Sequence, residues 1–195
     1  MTGISLGSGL SITGPTNIYT PNGNLQIGSG ALASLTTGTG NYAIGVSALG
    51  ALTTASNYIA IGDHALESVV SSVTLGASIG IGRYAGSKDT GGGGNIYIGD
   101  QAGLNVTGTE GTYIGRQTGW NITTGNFNVA MGHNSLSAAT NASANTAIGQ
   151  NTMCYAATSS SNNTFLGASA GKFANTAYNY TIGIGPSALS YQAVV

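Results

Sequence analysis

Asn41-Tyr42-Ala43-Ile44-Gly45-Val46-Ser47-Ala48-Leu49 and Asn128-Val129-Ala130-Met131-Gly132-His133-Asn134-Ser135-Leu136 are two copies of one pattern. Each reads Asn, bulky, Ala, bulky aliphatic, Gly, two variable residues, a small residue and Leu. Working outward from them, the aliphatic-glycine pivot recurs at Ile27-Gly28, Ile44-Gly45, Ile61-Gly62, Ile81-Gly82, Ile98-Gly99, Ile114-Gly115, Met131-Gly132, Ile148-Gly149, Leu166-Gly167 and Ile184-Gly185. The glycines lie 17, 17, 20, 17, 16, 17, 17, 18 and 18 residues apart. Ten copies at nearly constant spacing mark a repeat array in which each unit packs on its neighbours.

Around each pivot the residues alternate with the period of a strand. Three before the glycine stand Leu25, Tyr42, Ile59, Ile79, Ile96, Thr112, Val129, Thr146, Thr164 and Ile182, on the same face as the pivot aliphatic. Two before it, on the opposite face, come Ala43, Ala60, Ala130 and Ala147, with Tyr97, Tyr113 and Phe165 as large exceptions. Three after it the residue is always Ala, Ser or Thr, and the next is Leu, Met or Gly, which demands tight packing there. The remainder is turn chemistry, such as Thr36-Thr37-Gly38-Thr39-Gly40 and Thr123-Thr124-Gly125-Asn126. Asn falls four before the glycine in six copies (Asn24, Asn41, Asn95, Asn128, Asn145 and Asn163), as a hydrogen-bonded ladder requires.

These features predict an all-β chain, a parallel β-solenoid of about ten coils with one or two short strands each, on the order of 45 Å long. Stacking is expected to build a continuous ladder of pivot isoleucines that buries the apolar face of each coil. The Ala-rich faces are expected to point outward, where small side chains let solenoids associate. The pivot glycines are expected either at positive φ or against a neighbouring backbone. Residues 24–195 form the solenoid domain. Residues 1–23, with Pro15 and Pro21, lie outside the repeat as an N-terminal cap or attachment segment.

Composition limits the function. Only 5% of the 195 residues are charged: Arg83, Lys88, Arg116 and Lys172 against Asp63, Glu67, Asp89, Asp100 and Glu110. That balance concentrates neither phosphate backbones nor anionic lipid, so nucleic acid is not an expected partner. No apolar run approaches the ~18 residues that cross a bilayer, so membrane insertion is not expected. Cys154 is the only cysteine and is expected to be a small buried or half-buried side chain.

No constellation of catalytic, metal-binding or cofactor-binding residues emerges. His64 and His133 follow pivot glycines, with no partner carboxylate apparent for either, and ligation by His64, His133 and Cys154 would need separate coils to converge. Gly91 to Gly94 precede no Lys-Ser or Lys-Thr, so they form no phosphate loop and read as a flexible insertion. The candidate ligand contacts are aromatic residues on turns or outward faces: Tyr84, Trp120, Tyr155, Tyr178 and Tyr191.

The strings Asn41-Tyr42-Ala43-Ile44-Gly45, Asn128-Val129-Ala130-Met131-Gly132, Asn145-Thr146-Ala147-Ile148-Gly149 and Asn163-Thr164-Phe165-Leu166-Gly167 resemble the head repeats of trimeric autotransporter adhesins of the YadA type. They are also similar to the 17-residue repeats of phage and viral tail-fibre proteins. The resemblance spans roughly residues 24 to 189. It implies a left-handed parallel β-roll, a homotrimer with three chains side by side, and a role in adhesion. The autotransporters' leader, stalk and membrane anchor find no counterpart here, nor does the chaperone domain that ends many phage fibres. The expectation is therefore a non-enzymatic virion fibre, spike or decoration protein. It would sit on the virion surface, or alternatively outside or on a cell, contacting other virion proteins and a host-surface glycan or protein. Two alternatives stand beside it. A hexapeptide-type left-handed β-helix acyltransferase shares the aliphatic-Gly-x-x-small motif, but its motif recurs every 6 residues, not every 17. An ice- or surface-binding solenoid would need a regular Thr ladder, whereas Thr here clusters in turns.

Overall fold

The computed structural model describes residues 21–70, 76–90, 93–156, 159–173 and 177–190. Each repeat supplies one three-residue strand: β1 (Leu25–Ile27), β2 (Tyr42–Ile44), β3 (Ile59–Ile61), β4 (Ile79–Ile81), β5 (Ile96–Ile98), β6 (Thr112–Ile114), β7 (Val129–Met131), β8 (Thr146–Ile148), β9 (Thr164–Leu166) and β10 (Ile182–Ile184). They form one sheet in chain order. Neighbours pair in parallel and position for position, from Ile27 opposite Ile44 to Ile184 opposite Leu166. The chain is a parallel β-solenoid, with ten stacked strands enclosing about nine complete turns. Coils are numbered below by their strands. Of the segment at residues 1–23, residues 1–20 lie outside the described residues, as do Gly91 and Gly92; Pro21–Gly23 make a short 3-10 turn.

Each strand stops at its pivot glycine because the backbone leaves the β region there, with φ between 116° and 135° across the ten copies. Both causes expected for that glycine operate together. A Cβ on Gly28 would stand 2.4 Å from the carbonyl oxygen of Gly45, and one on Gly82 would stand 2.4 Å from that of Gly99. The coil then turns through left-handed residues two and four places on, and several are not glycine: Ser47 (φ 55°) with Leu49 (φ 51°), and Asn134 (φ 56°) with Leu136 (φ 50°). Such residues cost on the order of 1–3 kcal/mol each. Backbone hydrogen bonds offset that cost by joining coil to coil around the circumference. Gly45 N–H donates to Ile27 O (2.8 Å), Leu32 N–H to Ala48 O (3.0 Å), Thr36 N–H to Thr53 O (2.8 Å) and Asn57 N–H to Thr39 O (3.0 Å).

The facing of the strands is the reverse of that expected. The middle residues Ala43, Ala60, Tyr97, Tyr113, Ala130, Ala147 and Phe165 are fully buried, whereas the pivots Ile27, Ile61, Ile81, Ile98, Met131 and Ile148 are exposed by 36 to 51%. The reason is geometric. A coil of about 17 residues encloses a narrow core, which fills with the middle residues, the small residues three past the pivot and the residues four past it. The β-branched ladders are left outside.

In most coils the strand residue and the residue four past the pivot trade volume; coil 4 has glycine at both, Gly80 and Gly86, and Leu66 and Tyr97 of the adjoining coils reach into the space. Where the strand carries Ala, the fourth residue past the pivot is large: Leu49 with Ala43, Leu66 with Ala60, Leu136 with Ala130, Met153 with Ala147. Where the strand carries an aromatic, that residue is glycine. A Cβ on Gly103 would stand 2.2 Å from Tyr97, one on Gly119 2.3 Å from Tyr113, and one on Gly171 2.9 Å from Phe165. A further buried ladder, seven past the pivot, comprises Leu52, Val69, Val106 and Ile122. In coil 4 this slot holds Asp89, fully buried. Its Oδ2 accepts from Ser78 Oγ (3.3 Å), Asn95 Nδ2 (3.2 Å) and the Tyr97 hydroxyl (3.2 Å).

The asparagines form the expected ladder. Asn41 Oδ1 accepts from Tyr58 N–H one coil on (3.0 Å), while Asn41 Nδ2 donates to Ala55 O (3.0 Å). In coils 7 to 9 the side chains also bond each other: Asn145 Nδ2 to Asn128 Oδ1 at 3.1 Å, and Asn163 Nδ2 to Asn145 Oδ1 at 2.8 Å. Buried amides satisfied on both ends lock the register of the stack.

Candidate binding surfaces

The outward face of the sheet is the larger of two features. Along it run the pivot ladder and the ladder two residues before it. Among the described residues, nine of the sixteen exposed large apolar side chains lie here: Ile27, Tyr42, Ile61, Ile81, Ile98, Met131, Ile148, Ile182 and Ile184. In-register pairing places them in two straight rows spanning the stack, on the order of 45 Å. Nothing in the described chain folds back over them.

Beside the pivot row, the two residues after each glycine carry four of the nine charged side chains, Asp63, Arg83, Asp100 and Arg116, and both histidines, His64 and His133. Arg83 and Asp100 form a two-pronged pair, Nε to Oδ1 at 3.0 Å and a terminal nitrogen to Oδ2 at 3.3 Å. Being exposed, it contributes about 0–1 kcal/mol. Asp63 Oδ1 accepts from Val46 N–H (2.8 Å), and an Arg116 nitrogen lies 2.6 Å from His133 Nε2. The sequence offered His64 no carboxylate, but the turn supplies one: Glu67 Oε2 lies 3.0 Å from His64 Nδ1. A tight turn through left-handed His64 and Leu66 brings the two together, a pairing that strand alternation does not reveal.

The candidate contact aromatics separate into groups. Tyr84 is half-buried, stacked on His64 with ring centroids 4.8 Å apart and Arg83 5.4 Å from its ring. Tyr178 is not available for contact: it is 2% exposed, packs on Phe165 at 5.0 Å and donates its hydroxyl to Leu189 O. Tyr191 lies outside the described residues. Trp120, 36% exposed, and Tyr155, 56% exposed, line one groove of about 250 Å³ with Gln117, Asn121, Asn134, Ser137, Ala138 and Cys154. Cys154 is buried in its floor, its sulfur 3.2 Å from Ser137 Oγ. A second, more open depression of about 530 Å³ runs over coils 1 to 3, lined by Gly, Ala and Ser with Glu67 at one end. Among the described residues no three His, Cys, Asp or Glu side chains are grouped to hold a metal ion.

Comparison of the chain with models of protein families, with curated proteins and with solved structures finds no match in any of the three.

Proposed function

We propose that this chain is a non-enzymatic attachment or coat element, a left-handed β-roll that works as a homotrimer, three solenoids side by side. The reading places it in a fibre, spike or decoration of a virion, with other virion proteins and a host surface as partners. The observation that carries it is the uncovered aliphatic face running the length of the stack. With so few charges, the chain has little repulsion to keep such faces apart. A rigid rod with its apolar side turned to its own copies and its polar sides outward suits support and attachment. The adhesin-like repeat supports the same reading.

The test is mass in solution by light scattering across a dilution series. The expected result is a stable mass near three times the 19.2 kDa chain. Ile81→Lys with Ile98→Lys, both on the outward face, should reduce it to one chain while circular dichroism stays that of a β-solenoid. A single-chain mass for the unaltered protein at all concentrations would sink the reading.

One observation favours the acyltransferase reading: His64 holds a carboxylate at 3.0 Å, and that carboxylate borders the depression of about 530 Å³. A histidine oriented by a carboxylate is the arrangement of a general base. Titration with an acyl donor, followed by the same titration of His64→Ala, decides it. Donor binding and turnover lost with His64 would replace the attachment reading with an enzyme.

A further inference from the structure

We infer that the groove between Trp120 and Tyr155 is a binding site for a neutral pyranose, one ring of a surface glycan. The inference rests on the attachment reading above, and it names the ligand class and the residues.

The walls come from coils 6 and 8. Tyr155 occupies the place in its coil that Asn121 occupies two coils earlier, and Trp120 immediately precedes Asn121. Two parallel coil spacings put the aromatic walls roughly 10 Å apart. The intervening coil contributes only Ser137 and Ala138 at the equivalent places, so a notch one coil wide opens between two ring systems. An aromatic side chain presents a large rigid apolar face at little entropic cost. The faces of a pyranose, with their C–H groups, match such a surface, and its equatorial hydroxyls remain to be hydrogen-bonded at the edge.

The edge supplies those bonds without charge. Gln117, Asn121 and Asn134 line it, all neutral amides that donate and accept. Asn121 Oδ1 accepts from Asn105 Nδ2 at 2.9 Å, which orients the amide and directs its own NH₂ away from that bond. Gln117 Nε2 donates to Gln101 Oε1 at 3.1 Å. No charged side chain lines the groove; the Arg116 guanidinium reaches its edge, 3.5 Å from Gln117 Oε1. A lining of neutral amides selects a polyhydroxylated neutral ligand over a carboxylated or phosphorylated one. The depression on coils 1 to 3 is the internal control: the same groove position, larger, yet with no aromatic wall. The Trp120 groove shares no residue with the outward aliphatic face, so self-association through that face leaves it free.

The chain carries a built-in reporter, because Trp120 is its only tryptophan. The experiment is a titration of the intact protein, at a concentration where its mass is constant, with a panel of neutral and acidic oligosaccharides, read by tryptophan emission and by glycan array. The expected result is a blue shift with at least one neutral oligosaccharide, saturable and salt-independent. Tyr155→Ala should weaken binding at least tenfold. Ala138→Leu, which fills the notch and removes neither wall, should do the same, so the outcome does not hinge on how well Tyr155→Ala folds. Tyr42→Ala, which removes an exposed aromatic remote from the groove, should leave the affinity unchanged. Emission that responds to no neutral sugar, or to acidic sugars alone, overturns the proposal. So does emission that shifts with protein concentration alone while Ala138→Leu changes the mass, since the groove would then be a contact between chains. If the protein adheres to cells and the Ala138→Leu variant adheres equally, attachment stands and the glycan site falls. If neither adheres to any surface tested, the attachment reading falls on its own evidence.

Discussion

Coils 5 and 6 and coils 7 and 8 have the same backbone, the same register and opposite interiors. In coils 5 and 6 the inward strand residue is tyrosine and the slot four past the pivot is glycine; in coils 7 and 8 the strand residue is Ala and the slot holds Leu136 or Met153. Tyr97 and Tyr113 stack with centroids 5.6 Å apart, so the aromatic coils reach across to each other, whereas the aliphatic coils fill themselves. Both solutions bury their large side chains completely. In these coils the strand residue and the slot residue six places on trade volume, so the two positions are coupled through a shared space.

The pivot glycines are where the two kinds of coil should not differ, which makes them the harshest test. A Cβ on Gly99 in coil 5 would meet the Gly115 carbonyl carbon and oxygen at 2.7 Å, and one on Gly132 in coil 7 would meet the Gly149 oxygen at 2.6 Å. The obstacle is backbone in both cases, and φ lies near 132° and 119°. Gly99→Ala and Gly132→Ala should each cost more than about 4 kcal/mol, by combined clash and backbone strain. No smaller side chain elsewhere should restore either one. Thermal unfolding at fixed protein concentration checks this, and a mild loss in either variant would show that the stack can dilate. Gly185→Ala sharpens the point, because no atom lies within 4 Å of its Cβ position, so only the strain of its φ of 116° remains.

The slot glycines should behave differently, because a side chain stands in their way and a side chain can be removed. Gly171→Leu alone pushes its Cβ within 2.9 Å of the Phe165 ring. Its backbone at φ 60° is nonetheless close to that which Leu49, Leu66 and Leu136 already adopt at this slot. Phe165→Ala alone leaves a cavity and should cost about 3–5 kcal/mol. The double variant converts coil 9 into an aliphatic coil, and should recover about 2–3 kcal/mol of the summed losses as coupling between the two sites. Losses that simply add would mean the coils are not exchanging volume.

How much of this was legible beforehand follows from what repetition encodes. Ten copies of a pivot fixed the stack, its parallel register and the Asn ladder, because a position that recurs every coil must sit above itself. Which face of the strand looks inward was not legible from the bulk of Ile44 or Ile98, since period two gives two faces and no sign. The sign lay in the pairing of Ala43 with Leu49 and of Tyr97 with Gly103, a compensation across six residues visible only when copies are compared in pairs. Left-handed Leu49, Tyr84 and Gln117 were also invisible, because turns signalled by Gly and Asn do not announce those that leucine, tyrosine and glutamine enter under constraint. The Trp120 and Tyr155 groove was half legible: both aromatics stood out as candidate contacts, but their meeting across Ser137 and Ala138 needed the coil spacing and the +5 and +6 positions together.

The gentlest difference between the two interiors is alkaline sensitivity. Burial, together with the nearby Asp89 carboxylate, raises the Tyr97 phenol well above its ordinary value of 10, and burial raises that of Tyr113 as well. The unfolded chain releases these protons near pH 10 and the folded chain keeps them, so below about 10 neither tyrosine makes stability depend on pH. Above it the unfolded state gains, by about 1.4 kcal/mol per tyrosine for each further pH unit. Stability should therefore fall steeply from about pH 10 upward, and Tyr113→Phe, which keeps the ring and removes the titrating hydroxyl, should reduce that slope by about one tyrosine. Unfolding midpoints measured between pH 8 and 11.5, with phenolate absorbance followed in the same samples, give both quantities. If the Tyr113→Phe slope equals that of the unaltered chain, the Tyr113 hydroxyl is titrating in the folded state, and the aromatic coils are looser than their full burial indicates.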